Sequence, residues 1–182
     1  MEKVQIRRAV PDDADRMAHC LVAGNRASFD GLVPEKCLDF PVEESSRNWR
    51  QTLVENETSH IWLLLVAEYE AGLVVGYAMF GTGSRQSEFG SELLSMAVDP
   101  NWQQRGIGRL LVQRGAAFYQ KQGIHSMLVG VLEINPNVAF YERLGAKYVE
   151  ERPYNWDGFE TTELLYGWAN LEMLANLRGR GR

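Results

Sequence analysis

The chain has 182 residues, 45% of them apolar, which is enough for one ordinary domain with a core of its own. A formal charge of -5, from 19 basic and 24 acidic side chains, disfavours nucleic acid as the main partner, so a polyanionic ligand would need a local basic site. Cys20 and Cys37 have no zinc or disulfide spacing, residues 1–8 lack a signal-type apolar run, and the longest apolar stretch, residues 61–67, is too short to span a bilayer; a cytoplasmic protein, with no membrane partner and no metal, is expected.

Residues 4–8 alternate weakly as a first strand. Pro11-Asp12-Asp13 then opens an amphipathic helix with Ala14, Met17, Ala18, Leu21 and Val22 on one face. Its proline sits where a missing N–H is harmless, and its aspartates lie where the helix dipole favours negative charge. After Gly31-Leu32-Val33-Pro34, a less regular helical region is expected to run to about Val54, with Leu38, Trp49 and Leu53 as core contacts. From His60 the period changes. Residues 61–68 and 73–80 are β-rich runs joined by Tyr69-Glu70-Ala71-Gly72, which reads as a hairpin covered on both faces.

Residues 81–90 form a polar, glycine-rich loop, and residues 92–98 the next strand, ended by Asp99-Pro100. A helix over 106–122 is predicted to bury Ile107, Leu110, Leu111 and Phe118, with Gly123 as its left-handed cap. Residues 126–132 are a further strand. Asn135-Pro136 is expected to start a short helix, capped by the Asn135 side chain and ended by Gly145. Residues 147–156 and 159–168 flank Asp157-Gly158, a strong hairpin signal. Hairpins, a strand-helix-strand unit and a last hairpin imply one mixed sheet with helices on its faces, in a single domain over residues 1–170. Residues 171–182 form an extension whose Arg178-Gly179-Arg180-Gly181-Arg182 end reads as a solvated tail.

The segment from Ser95 through Asp99-Pro100 to Gly108 builds a strand, a proline-marked turn and a glycine-rich helix start. Unpaired N–H groups and the positive dipole end of such a helix suit a phosphate, and Arg105 and Arg109 add charge beside it. A nicotinamide-dinucleotide loop would need a third glycine where Leu111 stands, and its strand would run almost directly into the first glycine; here seven residues separate Val98 from Gly106. A nucleoside-triphosphate loop would need Gly-Lys followed by Ser or Thr, which is absent.

Gln103-x-x-Gly106-x-Gly108 resembles the acetyl-CoA loop of the GCN5-related N-acetyltransferases. The stretch from Asn135-Pro136-Asn137 through Phe140-Tyr141 to Gly145-Ala146 is similar to a later helix of the same superfamily. This resemblance implies an α+β, three-layer fold with a mixed, mostly antiparallel sheet of about seven strands. It implies acetyl-CoA as cosubstrate and an amine acceptor, either a small molecule or a peptide.

It also implies a set of site residues. Gln103, Gln104, Arg105, Gly106, Ile107, Gly108 and Arg109 would meet the pyrophosphate; Met96, Ala97 and Val98 would lie along the pantetheine arm, opposite Asn135; and Ala139, Phe140 and Tyr141 would complete the coenzyme site. Tyr141 resembles the superfamily's general acid, and a phenol with a reference pKa near 10 holds its proton at neutral pH. Glu92, fourteen positions before Gly106, is similar to the catalytic glutamate of the histone-acetylating branch and is the expected base, since an alkylamine with a pKa of about 10.4 must lose a proton to attack. An acetyl-cysteine route through Cys20 or Cys37 is disfavoured, because neither has a histidine partner by motif. His19, His60 and His125 read as packing or surface residues. Trp49, Trp62, Trp102, Trp156 and Trp168 read as core or hairpin residues. Tyr154, Trp156 and Phe159 are open to an acceptor pocket or a homodimer contact. The alternative function is an acyl-CoA sensor of the same fold without turnover.

Overall fold

Side chains that alternate across a pleated strand explain why the run after His60 is apolar at nearly every position. In β2 (Trp62–Tyr69), Leu63, Leu65 and Ala67 join one core cluster, while Leu64 and Val66 join another on the opposite face. The computed structural model describes residues 4–83 and 88–176. Around β2 lie β1 (Gln5–Arg8), β3 (Leu73–Thr82), β4 (Ser91–Val98), β5 (Met127–Leu132), β6 (Lys147–Trp156) and β7 (Phe159–Trp168). They form one seven-stranded sheet in the order β1-β2-β3-β4-β5-β7-β6. Only β4 and β5 pair in parallel. A parallel pair needs a crossover, and here it is supplied by α3 (Ile107–Lys121). The fold is α+β with a mixed sheet, as expected.

One face of the sheet is covered by α1 (Ala14–Phe29) and α2 (Val42–Ser59). They bury Ala14, Met17, Cys20 and Leu53 against Leu64, Val66, Val74 and Tyr77. The other face packs Ile107, Leu111, Val112, Ala116 and Tyr119 of α3 against β2, β3 and β4, with Leu171 and Leu174 of α5 (Leu171–Ala175) beside them. Gly115 is required there, because a Cβ would stand 2.4 Å from the Phe80 ring. Phe80 is fully buried and cannot yield. Gly115→Ala is therefore expected to cost about 1–3 kcal/mol through overpacking, against a helix-propensity gain of about 1 kcal/mol. A thermal melt should show a lowered midpoint.

Several local expectations need correction. The region before Val54 is a regular 18-residue helix, α2, that runs on to Ser59 and ends in the left-handed His60 at φ 51°. Leu110 does not belong to the buried stripe: it is 37% exposed, and Val112 and Ala116 take that role as the helix turns past the sheet. Asn135 does not cap the helix. Its Oδ1 accepts from the Asn137 N–H at 2.8 Å in a turn of its own, so α4 (Val138–Arg143) starts three residues later. Gly123 at φ 77° and Gly145 at φ 88° do hold the left-handed positions, as do Asp157 and Gly158 between β6 and β7. The arginine-glycine tail lies outside the described residues. Among the described residues, no helix is long and apolar enough to cross a membrane.

Candidate functional site

The site begins where β4 and β5 part. Their parallel pairing covers only Ser91 to Leu93 against Met127 to Val129. A bulge in β4 at the same level shifts its register on β3 between Met79 and Phe80, which turns the strand away from β5. Beyond this point the backbone groups of the two strands face a gap. Two cavities open into it, sharing Asn25, Phe29, Met96, Asn135 and Tyr141 in their walls.

The first is a cleft of about 450 Å³ between α1, the end of β4, the start of α3 and α4. Of the residues expected to hold the coenzyme, Met96, Ala97, Val98, Gln103, Gln104, Gly106, Ile107, Gly108, Arg109, Asn135, Phe140 and Tyr141 line it. Arg105 and Ala139 do not. The Arg105 guanidinium lies over the Trp102 ring at 4.7 Å and donates to the Asn101 carbonyl at 3.2 Å. Ala139 sits on the exposed side of α4.

The loop before α3 is tied down by Asp99. Its N–H donates to the Val75 carbonyl at 2.9 Å, and its buried carboxylate accepts from the Asn101 N–H at 3.0 Å and pairs with Arg16 at 3.3 Å. His19 Nε2 lies 3.4 Å from the same carboxylate, so this histidine belongs to the brace. Gln104 at φ 59° and Gly106 at φ 82° then reverse the chain into the helix. The first helical bond runs from the Leu110 N–H to the Gly106 carbonyl at 3.1 Å, leaving the preceding amides without intrahelical partners. Gly108 is small for a different reason: a Cβ would meet the Phe140 ring at 3.2 Å, so this glycine lets α4 approach α3.

These features fit a pyrophosphate. Among the described residues, the cleft's charged lining groups are Arg109 and Arg143, both basic in an acidic protein. Arg109 Nε is buried without a hydrogen-bond partner among the described residues. Such a group is costly to bury unless a ligand accepts from it.

The second cavity, about 400 Å³, lies on the α1 side of the gap. Leu94, Ser95 and Met96 of β4 and Gly130, Val131 and Leu132 of β5 form its floor, and Phe29, Phe40, Tyr154 and Trp156 form its walls. Among its described lining residues Glu163 is the one charged group. Phe159 does not line it. Glu92 lines neither cavity; it is buried to 3% exposure at the start of β4, opposite Gly81 and Leu128.

Tyr141 stands at the junction. It packs at 5.0 Å from Phe140 and 6.4 Å from Trp168, and burial pushes its phenol up to about 12. Burial also raises Cys20 to about 11 and Tyr119 to about 12. Each group binds its proton more tightly folded than unfolded. Their contribution is complete below the unfolded values of 9.0 and 10.0 and is lost as pH rises towards 11 and 12. Urea midpoints measured at pH 8, 10 and 11 should therefore fall steadily.

A model of the Acetyltransferase (GNAT) family matches residues 29–146. This chain belongs to the GNAT acetyltransferase family. The GNAT protein is 29% identical over 179 residues to an uncharacterized N-acetyltransferase, YuaI, of Bacillus subtilis, a match covering 97% of this chain and 99% of that one. Its fold is similar to that of the PaiA N-acetyltransferase of Thermoplasma acidophilum in complex with coenzyme A, at 18% identity and a TM-score of 0.70, covering 89% of this chain and 98% of that one. It is also similar to YncA of Salmonella typhimurium with acetyl-CoA, at 20% identity and a TM-score of 0.65, covering 93% of this chain and 94% of that one.

Some cleft and cavity residues escaped sequence reading. Gly24, Asn25, Ser28 and Phe29 of α1 line the cleft, and a Cβ on Gly24 would stand 3.4 Å from the Ala97 Cβ, in ordinary contact. Their signal was a small and polar stretch late in an otherwise apolar helix face. Trp102, read as core, lines the cleft, as do Asn137 and Arg143. Glu163 carried no local signal, since acidic residues in a terminal hairpin are ordinary.

Proposed function

We propose that this GNAT protein transfers an acetyl group from acetyl-CoA directly to a primary amine of a small molecule or peptide. The observation that carries the reading is the meeting of a basic cleft and a second, acidic cavity at Tyr141, Met96 and Asn135. A coenzyme fits the first, with Arg109, Gln103 and the amides of the α3 start holding its pyrophosphate and the β4 backbone at Ala97 and Val98, whose Val98 carbonyl accepts from Gln103 Nε2 at 3.1 Å, lying along its arm. Bound there, it would supply the acetyl thioester at the junction.

The chain's own residues then have three tasks. Glu92, one residue before the Leu93 to Met96 stretch that lines the amine's cavity, takes the ammonium proton through water, since it does not line the cavity itself. A backbone N–H of the unpaired β4 edge stabilises the developing oxyanion. Tyr141 gives its proton to sulfur as the C–N bond forms and the C–S bond breaks. Its raised pKa keeps that proton available at neutral pH.

The test is amine-dependent release of free thiol from acetyl-CoA. Coenzyme binding without any such release would reduce the protein to an acyl-CoA sensor. Glu92→Gln is expected to lower kcat by about 10²–10⁴-fold with coenzyme affinity unchanged. Unaltered kcat would remove Glu92 from the mechanism.

A further inference from the structure

The cavity beside the cleft is built for a particular kind of amine. Phe29 is buried and meets the Trp156 ring edge-to-face, with centroids 5.1 Å apart and planes at 83°. The Trp156 carbonyl in turn accepts from Cys37 Sγ at 3.2 Å, which ties the β6–β7 hairpin to the segment after α1. These contacts fix an aromatic wall. Phe40 and Tyr154 are exposed rings in the same lining, so large apolar surface is held open to solvent where a flat ligand could cover it.

Glu163 faces this cavity from β7, opposite Leu132 of β5 and Arg152 of β6, and is only 8% exposed. A compact cation suits a lining that joins Phe29, Phe40, Tyr154 and Trp156 to one carboxylate. A carboxylate offers about four acceptor positions, so the bonds Glu163 makes within the protein leave room for an ammonium. The rings add attraction for the same charge. Among the described lining residues Glu163 is the one carboxylate, so a second cationic end would meet neutral groups, the rings and the side chains of Asn25, Ser95 and Asn135. That arrangement disfavours polyamines, and a peptide chain would bring amide groups against the same rings.

We propose that the acceptor is an arylalkylamine, a small primary amine on an aromatic body, with its ammonium received by Glu163 and its ring held by Phe29, Tyr154 and Trp156. This rests on the reading above for which cavity the amine enters. Glu163 acts in recognition, so its loss should appear in affinity before it appears in turnover.

The decisive measurement is calorimetric titration of 2-phenylethylamine into the full chain, with and without coenzyme A. Saturable 1:1 binding is expected. Glu163→Gln should weaken it by about 10–100-fold, the range for a hydrogen bond to a charged group, while leaving coenzyme A affinity unchanged. Glu163→Asp should recover part of the loss, and 2-phenylethanol should not distinguish the wild type from Glu163→Gln. In turnover, KM for 2-phenylethylamine should rise with kcat nearly constant. No saturable binding by the folded protein, equal binding by Glu163→Gln, or a higher kcat/KM for spermidine or an alanine-starting peptide would overturn the proposal. Failure of coenzyme A alone to bind would instead remove the reading of the cleft, while the coenzyme-free amine titration still decides this one.

Discussion

Tyr141→Phe lowers acetyl transfer by about 10²–10⁴-fold while acetyl-CoA still raises the thermal midpoint as in the wild type; this is the expected result if the phenol donates the proton that sulfur requires. The substitution removes one oxygen and leaves the ring, so the packing on Phe140 and Trp168 persists. Among the described residues the hydroxyl has no hydrogen bond to lose, so its removal should not loosen α4. The pH profile gives a second check. With the phenol held up to about 12 by burial, its ionisation cannot produce an alkaline fall in kcat between pH 8 and 10. Unchanged turnover in Tyr141→Phe would exclude it as the acid.

Gly106→Glu should abolish the stabilisation that acetyl-CoA confers, worth about 2.7 kcal/mol at a concentration of 100 Kd. Two effects combine at this position. Gly106 holds φ 82°, where a side chain is strained, and its Cβ would stand 3.5 Å from Arg109 Nη2. The introduced carboxylate would pair with that guanidinium and place negative charge where phosphate oxygens must come. Backbone strain alone costs about 1–2 kcal/mol and lowers the unliganded midpoint by about 2–4 °C per kcal/mol. Differential scanning with and without coenzyme separates the two. A retained coenzyme shift on a lowered baseline would show strain without loss of the site.

The elements that could be read from sequence share a physical origin: each rests on local chemistry. The β6–β7 hairpin follows from Asp157-Gly158, a pair that readily accepts the two left-handed positions. Gly123 and Gly145 end their helices for the same reason. The helix start after Gly106 is also local, because the missing intrahelical partners belong to any helix N-terminus. Where local signals compete, the reading failed. Asn135 is a good cap in isolation, but its side chain closes a turn with Asn137 first. Arg105 is charged and adjacent to the glycines, yet its guanidinium stacks on Trp102 and is not part of the cleft's lining.

The sequence by itself determined the family and the local form of the loop and helix that carry its motifs. The loop from Gln103 to Gly108, the helix with Tyr141, and the family they belong to are written in contiguous residues whose backbone conformations are set nearby. The second cavity was decided only in three dimensions. Phe29, Phe40, Tyr154, Trp156 and Glu163 come from segments separated by more than half the chain, and they meet because β4 bulges away from β5 and the last hairpin reaches back to Cys37. No local period records such a meeting. It depends on how far two strands part, and the packing of the whole sheet sets that distance.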